Sequence, residues 1–119
     1  MPKEFTKLLR IHLFIIYNNC TLKMRNMINS FNCKETEKIF KGQISRKFPA
    51  SLQTRSFNKL AAIHVSKTLE DLKSPPSNHL EQLKGDRLGQ YSIRINEKYR
   101  ICFKWKDGIA DEVEIVDYH

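Results

Sequence analysis

The sequence predicts an α+β domain in which two helices pack on one face of a mainly antiparallel sheet. Three observations predict it. Phe57, Leu60, Ala61 and His64 recur at helical spacing. From Gln90 onward apolar and polar residues alternate, the period of a half-buried strand. Between these patterns lies the stiff loop Ser74-Pro75-Pro76-Ser77-Asn78, so the helices come first and the strands follow.

In chain order, Ile28 to Phe31 reads as a short edge strand that begins the domain. Lys34 to Lys41 reads as a short helix, stopped by Gly42 where a left-handed backbone favours glycine. Pro49 opens the second helix, because the first helical turn has no use for its missing N–H. His64 falls on the apolar stripe of that helix without a partner at metal-ligand spacing, so it is read as a packing residue. Thr68 to Leu72 adds a turn. Four strands follow: Leu80 to Lys84, Gln90 to Ile95, Tyr99 to Trp105, and a last one carrying Val113 and Ile115 to the chain end.

The 119 residues suit one ordinary domain, or a small domain with a tail. A hydrophobic fraction of 40% with 29% charged residues excludes a collagen-like chain and argues against full disorder. Lys+Arg is 21 against Asp+Glu 13, a net +8, which suits nucleic acid, anionic lipid or an acidic partner. Cys20, Cys33 and Cys102 form neither a CxxC pair nor an even framework, so free thiols in a reducing compartment are expected. No apolar run reaches the ~18–20 residues that span a bilayer, and a cytoplasmic location without membrane partners is expected. Residues 1–26 hold five basic side chains and one acidic one. Their apolar run, Ile11 to Tyr17, lacks a following cleavage site for a signal peptide. They are read as an extension outside the core, with Met27 as the better start and 27–119 as the domain.

Register locates the candidate chemistry, because the two faces must agree across each hairpin. A three-residue loop Asn96-Glu97-Lys98 sets Ile95 against Tyr99, Arg94 against Arg100, Ile93 against Ile101 and Tyr91 against Phe103. The same test on the next hairpin selects the loop Asp107-Gly108-Ile109, with Phe103 against Val113 and Lys104 against Glu112. Arg94 and Arg100 are then directly opposed on the face away from the apolar side. Like charges so placed destabilise a sheet. Either an anion sits between them or both splay into water, and register alone leaves both readings open. Arg's planar fork suits phosphate. Residues 84–106 hold seven basic and two acidic side chains, and 107–119 hold five acidic and no basic ones. A polyanion surface is therefore expected, with Arg87, Arg94 and Lys104 as phosphate-binding side chains. At the chain end Asp117, Tyr118 and His119 are all able to relay protons. No cluster with metal-ligand spacing occurs, and no metal or other cofactor is expected.

LKGDR at 83–87, GQYSIRIN at 89–96, YRICFKW at 99–105 and the ending VEIVDYH resemble the HigB toxins of the RelE/ParE superfamily. The similarity covers essentially all of 27–119. It implies a compact, microbial ribonuclease-like fold. It also implies cleavage of messenger RNA on the ribosome, without metal, and a HigA-like helix-turn-helix antitoxin as partner. By motif, Lys84, Arg100, Asp117, Tyr118 and His119 are the implied catalytic residues, and Arg94 matches a position that is basic in the wider group. Some members carry a functional His three positions before the Lys of LKGD. Here Glu81 stands there, while His79 lies five before Lys84. Two rivals remain at this point: a ParE-like toxin that acts on DNA gyrase without nuclease activity, and an inactive RNA-binding relative.

Overall fold

The computed structural model describes residues 28–117 of the 119. The expected extension and Met27, together with Tyr118 and His119, lie outside the described residues. The helices are α1 (Lys34–Phe40) and α2 (Ala50–Val65); the strands are β1 (Glu81–Gln82), β2 (Gln90–Arg94), β3 (Tyr99–Lys106) and β4 (Ile109–Asp117). The four strands form one sheet in the order β1-β2-β3-β4, each pair antiparallel. The α+β layering is as the periodicities predict.

Glu35 and Glu37 sit in the first turn of α1 and Lys38 in its last, which complements the helix dipole. Gly42, with φ 84°, follows as the left-handed stop, its N–H donating to the Ile39 carbonyl at 2.9 Å. Pro49 stands one position earlier than expected, capping α2 rather than forming its first turn. The predicted stripe of α2 is buried throughout, with Leu52 and Ile63 added to it. It packs on Ile93, Ile101, Phe103, Val113 and Ile115 of the sheet. His64 is a packing residue: its Nδ1 accepts from the Ile28 N–H at 3.4 Å, and its ring lies 5.1 Å from that of Phe40. Burial lowers its pKa to about 4.

Three elements differ from expectation. Ile28 to Phe31 is not a full strand but makes two isolated parallel bridges, to Ala110 and Val113 of β4. The strand expected over Leu80 to Lys84 shrinks to Glu81–Gln82, because Gly85 at φ 64° turns the chain into a short 3-10 helix. In the β3–β4 hairpin the loop is two residues, not three. Asp107 (φ 50°) and Gly108 (φ 80°) both adopt positive φ, the type I′ turn that an Asp-Gly pair favours, so Lys106 faces Ile109 and Trp105 faces Ala110. Beyond a bulge at Glu112 (φ 52°), the register slips by one, so that Ile101 pairs with Ile115 and Arg100 with Val116, the parity that sets Phe103 against Val113. Lys104 pairs with Asp111 along the backbone, yet its ammonium still reaches Glu112 at 2.9 Å.

Candidate active site

Arg94 ends β2 and Arg100 opens β3, directly opposed as the register requires. The tight connection is pinned by Asn96, whose Oδ1 accepts from the backbone N–H groups of Lys98 and Tyr99, both at 2.8 Å. The backbone oxygen of Asn96 accepts from Arg94 Nε at 3.1 Å, which aims that guanidinium along the turn.

Arg100 is only 8% exposed. Its Nε donates to Ser92 Oγ at 2.8 Å and its Nη2 to the carbonyl of His79. The Glu81 carboxylate lies 3.2 Å from the same Nη2, itself half exposed. The guanidinium is therefore held in one orientation by partners from three places in the chain. Arg100 does not splay into water, and in the free chain the carboxylate beside it is that of Glu81. His79, Glu81, Arg94, Asn96, Glu97 and Arg100 together line a depression of about 270 Å³. Glu81, noted in the sequence only as a departure from the family pattern, is thus at the centre of the site. Ser92 and the His79 carbonyl had gone unnoticed. Ser92 could have been found as the diagonal same-face neighbour of Arg100 once the register was drawn, whereas a backbone carbonyl leaves no trace in residue type.

The other predicted residues are placed unequally. Arg87 and Lys104 lie over the same face, but acids of β4 answer both: Arg87 reaches Glu114 at 3.2 Å and Gln90 at 3.0 Å, and Lys104 reaches Glu112. The acidic last strand is therefore dispersed among partners and does not form a separate acidic end. Lys84 is exposed, and among the described residues it forms no salt bridge. Asp117 pairs with Tyr99, the residue before Arg100, and its carboxylate lies 3.6 Å from Lys98. This carries the end of β4 toward the Arg100 end of the sheet. Tyr118 and His119 lie outside the described residues. Cys102 is fully buried beneath this face, and burial pushes its thiol pKa up, which suits a packing role and not a nucleophile.

A family model described as the RelE-like toxin of the type II toxin–antitoxin system HigB matches residues 29–119. Endoribonuclease HigB of Proteus vulgaris is 32% identical over 93 residues, which make up 78% of this chain and 100% of that protein. Toxin HigB-1 of Vibrio cholerae is 40% identical over 65 residues, 55% of this chain and 68% of that one. Among solved structures, the YoeB–YefM complex from Staphylococcus aureus matches with a TM-score of 0.45 at 20% identity, covering 81% of this chain and 99% of that one. The chain belongs to the family of HigB, the RelE-like toxins of type II toxin–antitoxin systems.

Proposed function

We propose that this toxin is a metal-independent endoribonuclease that cuts messenger RNA on the translating ribosome, acts in the cytoplasm, and is restrained by a HigA-like helix-turn-helix antitoxin. The observation that carries the reading is the fixed guanidinium of Arg100, set opposite Arg94 in a depression that also holds His79 and Glu81. Such a site suits a phosphodiester whose charge rises during reaction.

RNA supplies its own nucleophile. The 2′-OH attacks the adjacent phosphorus, the P–O5′ bond breaks, and a 2′,3′-cyclic phosphate and a 5′-OH result. One proton leaves the 2′-OH and one is delivered to O5′. Arg100 meets the extra charge on the pentacoordinate phosphate with a guanidinium already held in one orientation. Lys84 and Arg94 hold the scissile or flanking phosphate. His119 and Tyr118 take and give the protons, Asp117 orients His119, and Glu81 is a further acid–base candidate. In the free protein Glu81 occupies the Arg100 fork, so an incoming phosphate must displace it or share the fork with it.

Primer extension on translating ribosomes tests the reading with the wild-type chain and with Arg100→Ala. The wild type should cut, and loss of a charge-stabilising donor should slow cleavage by about 10²–10³. A folded wild-type chain that never cuts messenger RNA, or an Arg100→Ala variant that cuts at the wild-type rate, rejects the proposal.

A further inference from the structure

We propose that the groove between α2 and the β2–β3 turn is a second phosphate subsite, which holds the nucleotides flanking those in the Arg94–Arg100 depression; this rests on the nuclease reading above. The groove has a volume of about 1040 Å³, the size of a substantial ligand cleft. Arg55 and Lys59 stand one turn apart on one wall, and Arg94 and Lys98 line the other. Glu97 is the only carboxylate among its lining residues. The core-facing stripe of α2 lies elsewhere on the helix, so neither cation belongs to the apolar core.

Two further observations separate this groove from a scatter of surface lysines. First, Lys59 is positioned. It donates to Oδ1 of Asn78, which is 1% exposed and anchored by its Nδ2 donating to the carbonyls of Leu72 at 3.0 Å and Ser74 at 3.4 Å. Burial and the nearby Arg55 lower the Lys59 pKa, as happens to a cation held without a counter-charge. Second, among the described residues none of Arg55, Lys59 and Arg94 forms a salt bridge, whereas Arg87, Lys98 and Lys104 each do. Three cations without a salt-bridge partner thus line one groove, and Arg94 lines the depression as well. A single strand that places one phosphate at Arg100 continues across Arg94 into this groove, as backbone-tracking channels do.

Binding of a non-cleavable 2′-O-methyl RNA octamer to the full chain, followed by fluorescence anisotropy across a salt series, tests this. Each lost phosphate contact on a single strand lowers the slope of log K against log salt by about 0.7. The double variant Arg55→Gln/Lys59→Gln should therefore lower the slope by about 1.4. The glutamine at 59 keeps a donor for Asn78. In cleavage it should raise KM with kcat unchanged, the mark of lost uniform binding. Arg55→Lys/Lys59→Arg should restore both. An unchanged slope overturns the proposal, as does an equal fall in the control Arg46→Gln/Lys67→Gln, two exposed cations outside the groove. A loss of antitoxin affinity with the slope unchanged also overturns it, in favour of a protein occupant. A wild-type chain that shows the groove-dependent slope but cuts no messenger RNA overturns the nuclease reading and leaves the subsite standing.

Discussion

On the helix side of the sheet, Ile93, Ile101, Phe103 and Val113 are fully buried against α2. On the opposite side Ser92 and Cys102 are buried as completely, with Arg100 almost so. The first face is closed by apolar area, which is non-directional and tolerates substitution of like volume. The second is closed by directed bonds: Arg100 to Ser92, to the His79 carbonyl and to Glu81, and Arg87 to Glu114. A face closed by volume stabilises; a face closed by directed bonds also orients. Only the second can present a guanidinium at a fixed angle to a ligand.

The largest effect that sharpens this contrast is on the apolar face. Phe103→Ala should destabilise the domain by about 3–5 kcal/mol in chemical denaturation, because a fully buried ring leaves a cavity. A loss under 1 kcal/mol would mean that the face relaxes as freely as the surface does. Next comes the pH dependence of the helix layer. His64 is held neutral, with its pKa lowered from 6.5 to about 4, so the unfolded chain binds a proton that the folded chain refuses. Its contribution is complete above pH 6.5 and is lost as pH falls toward 4, by up to about 3 kcal/mol. His64→Gln should flatten that limb of the stability–pH profile; a profile of unchanged steepness would assign acid unfolding to other groups.

On the bonded face, Arg100→Ala should cost about 1–3 kcal/mol of stability in addition to its effect on cleavage, since Ser92 and the His79 carbonyl lose their donor. A melting curve unchanged by the substitution would show that Arg100 serves ligand alone. Smallest is the exposed pair Lys104–Glu112, each side chain about half accessible, where a double-mutant cycle should return about 0.2–1 kcal/mol. A much larger coupling would make the bulge itself depend on that pair.

The two faces were also unequally legible in the sequence. The helix stripe at Phe57 to His64 and the alternation from Tyr91 to Trp105 were readable because burial imposes a local period on residue type. The opposition of Arg94 and Arg100 followed from the same parity. The bonded face was less readable. Arg100 is held by residues 19 and 21 positions earlier in the chain, partly through a main-chain oxygen, and spacing carries no sign of that. The β3–β4 hairpin misled for a different reason. The Asp-Gly pair asks for a two-residue turn, while the faces of β3 and β4 ask for the other parity. The bulge at Glu112 satisfies both demands at once, and a single uninterrupted register could honour only one of them.

The two parallel bridges made by Ile28 and Phe31 bear on how copies of this chain meet one another. Along the outer side of β4, main-chain groups of Ala110 and Val113 are taken up by Asn29, Ser30 and Asn32, the Glu112 N–H by the Ser30 hydroxyl, and the Ile115 N–H by the Thr36 hydroxyl. At the other end of the sheet, β1 offers only two residues. Among the described residues, neither border presents a long strand on which a second copy could template itself. Strand-on-strand growth, the usual route by which sheet proteins precipitate at high concentration, is opposed along β4 by the chain's own 29–36 segment and at the other border by the shortness of β1.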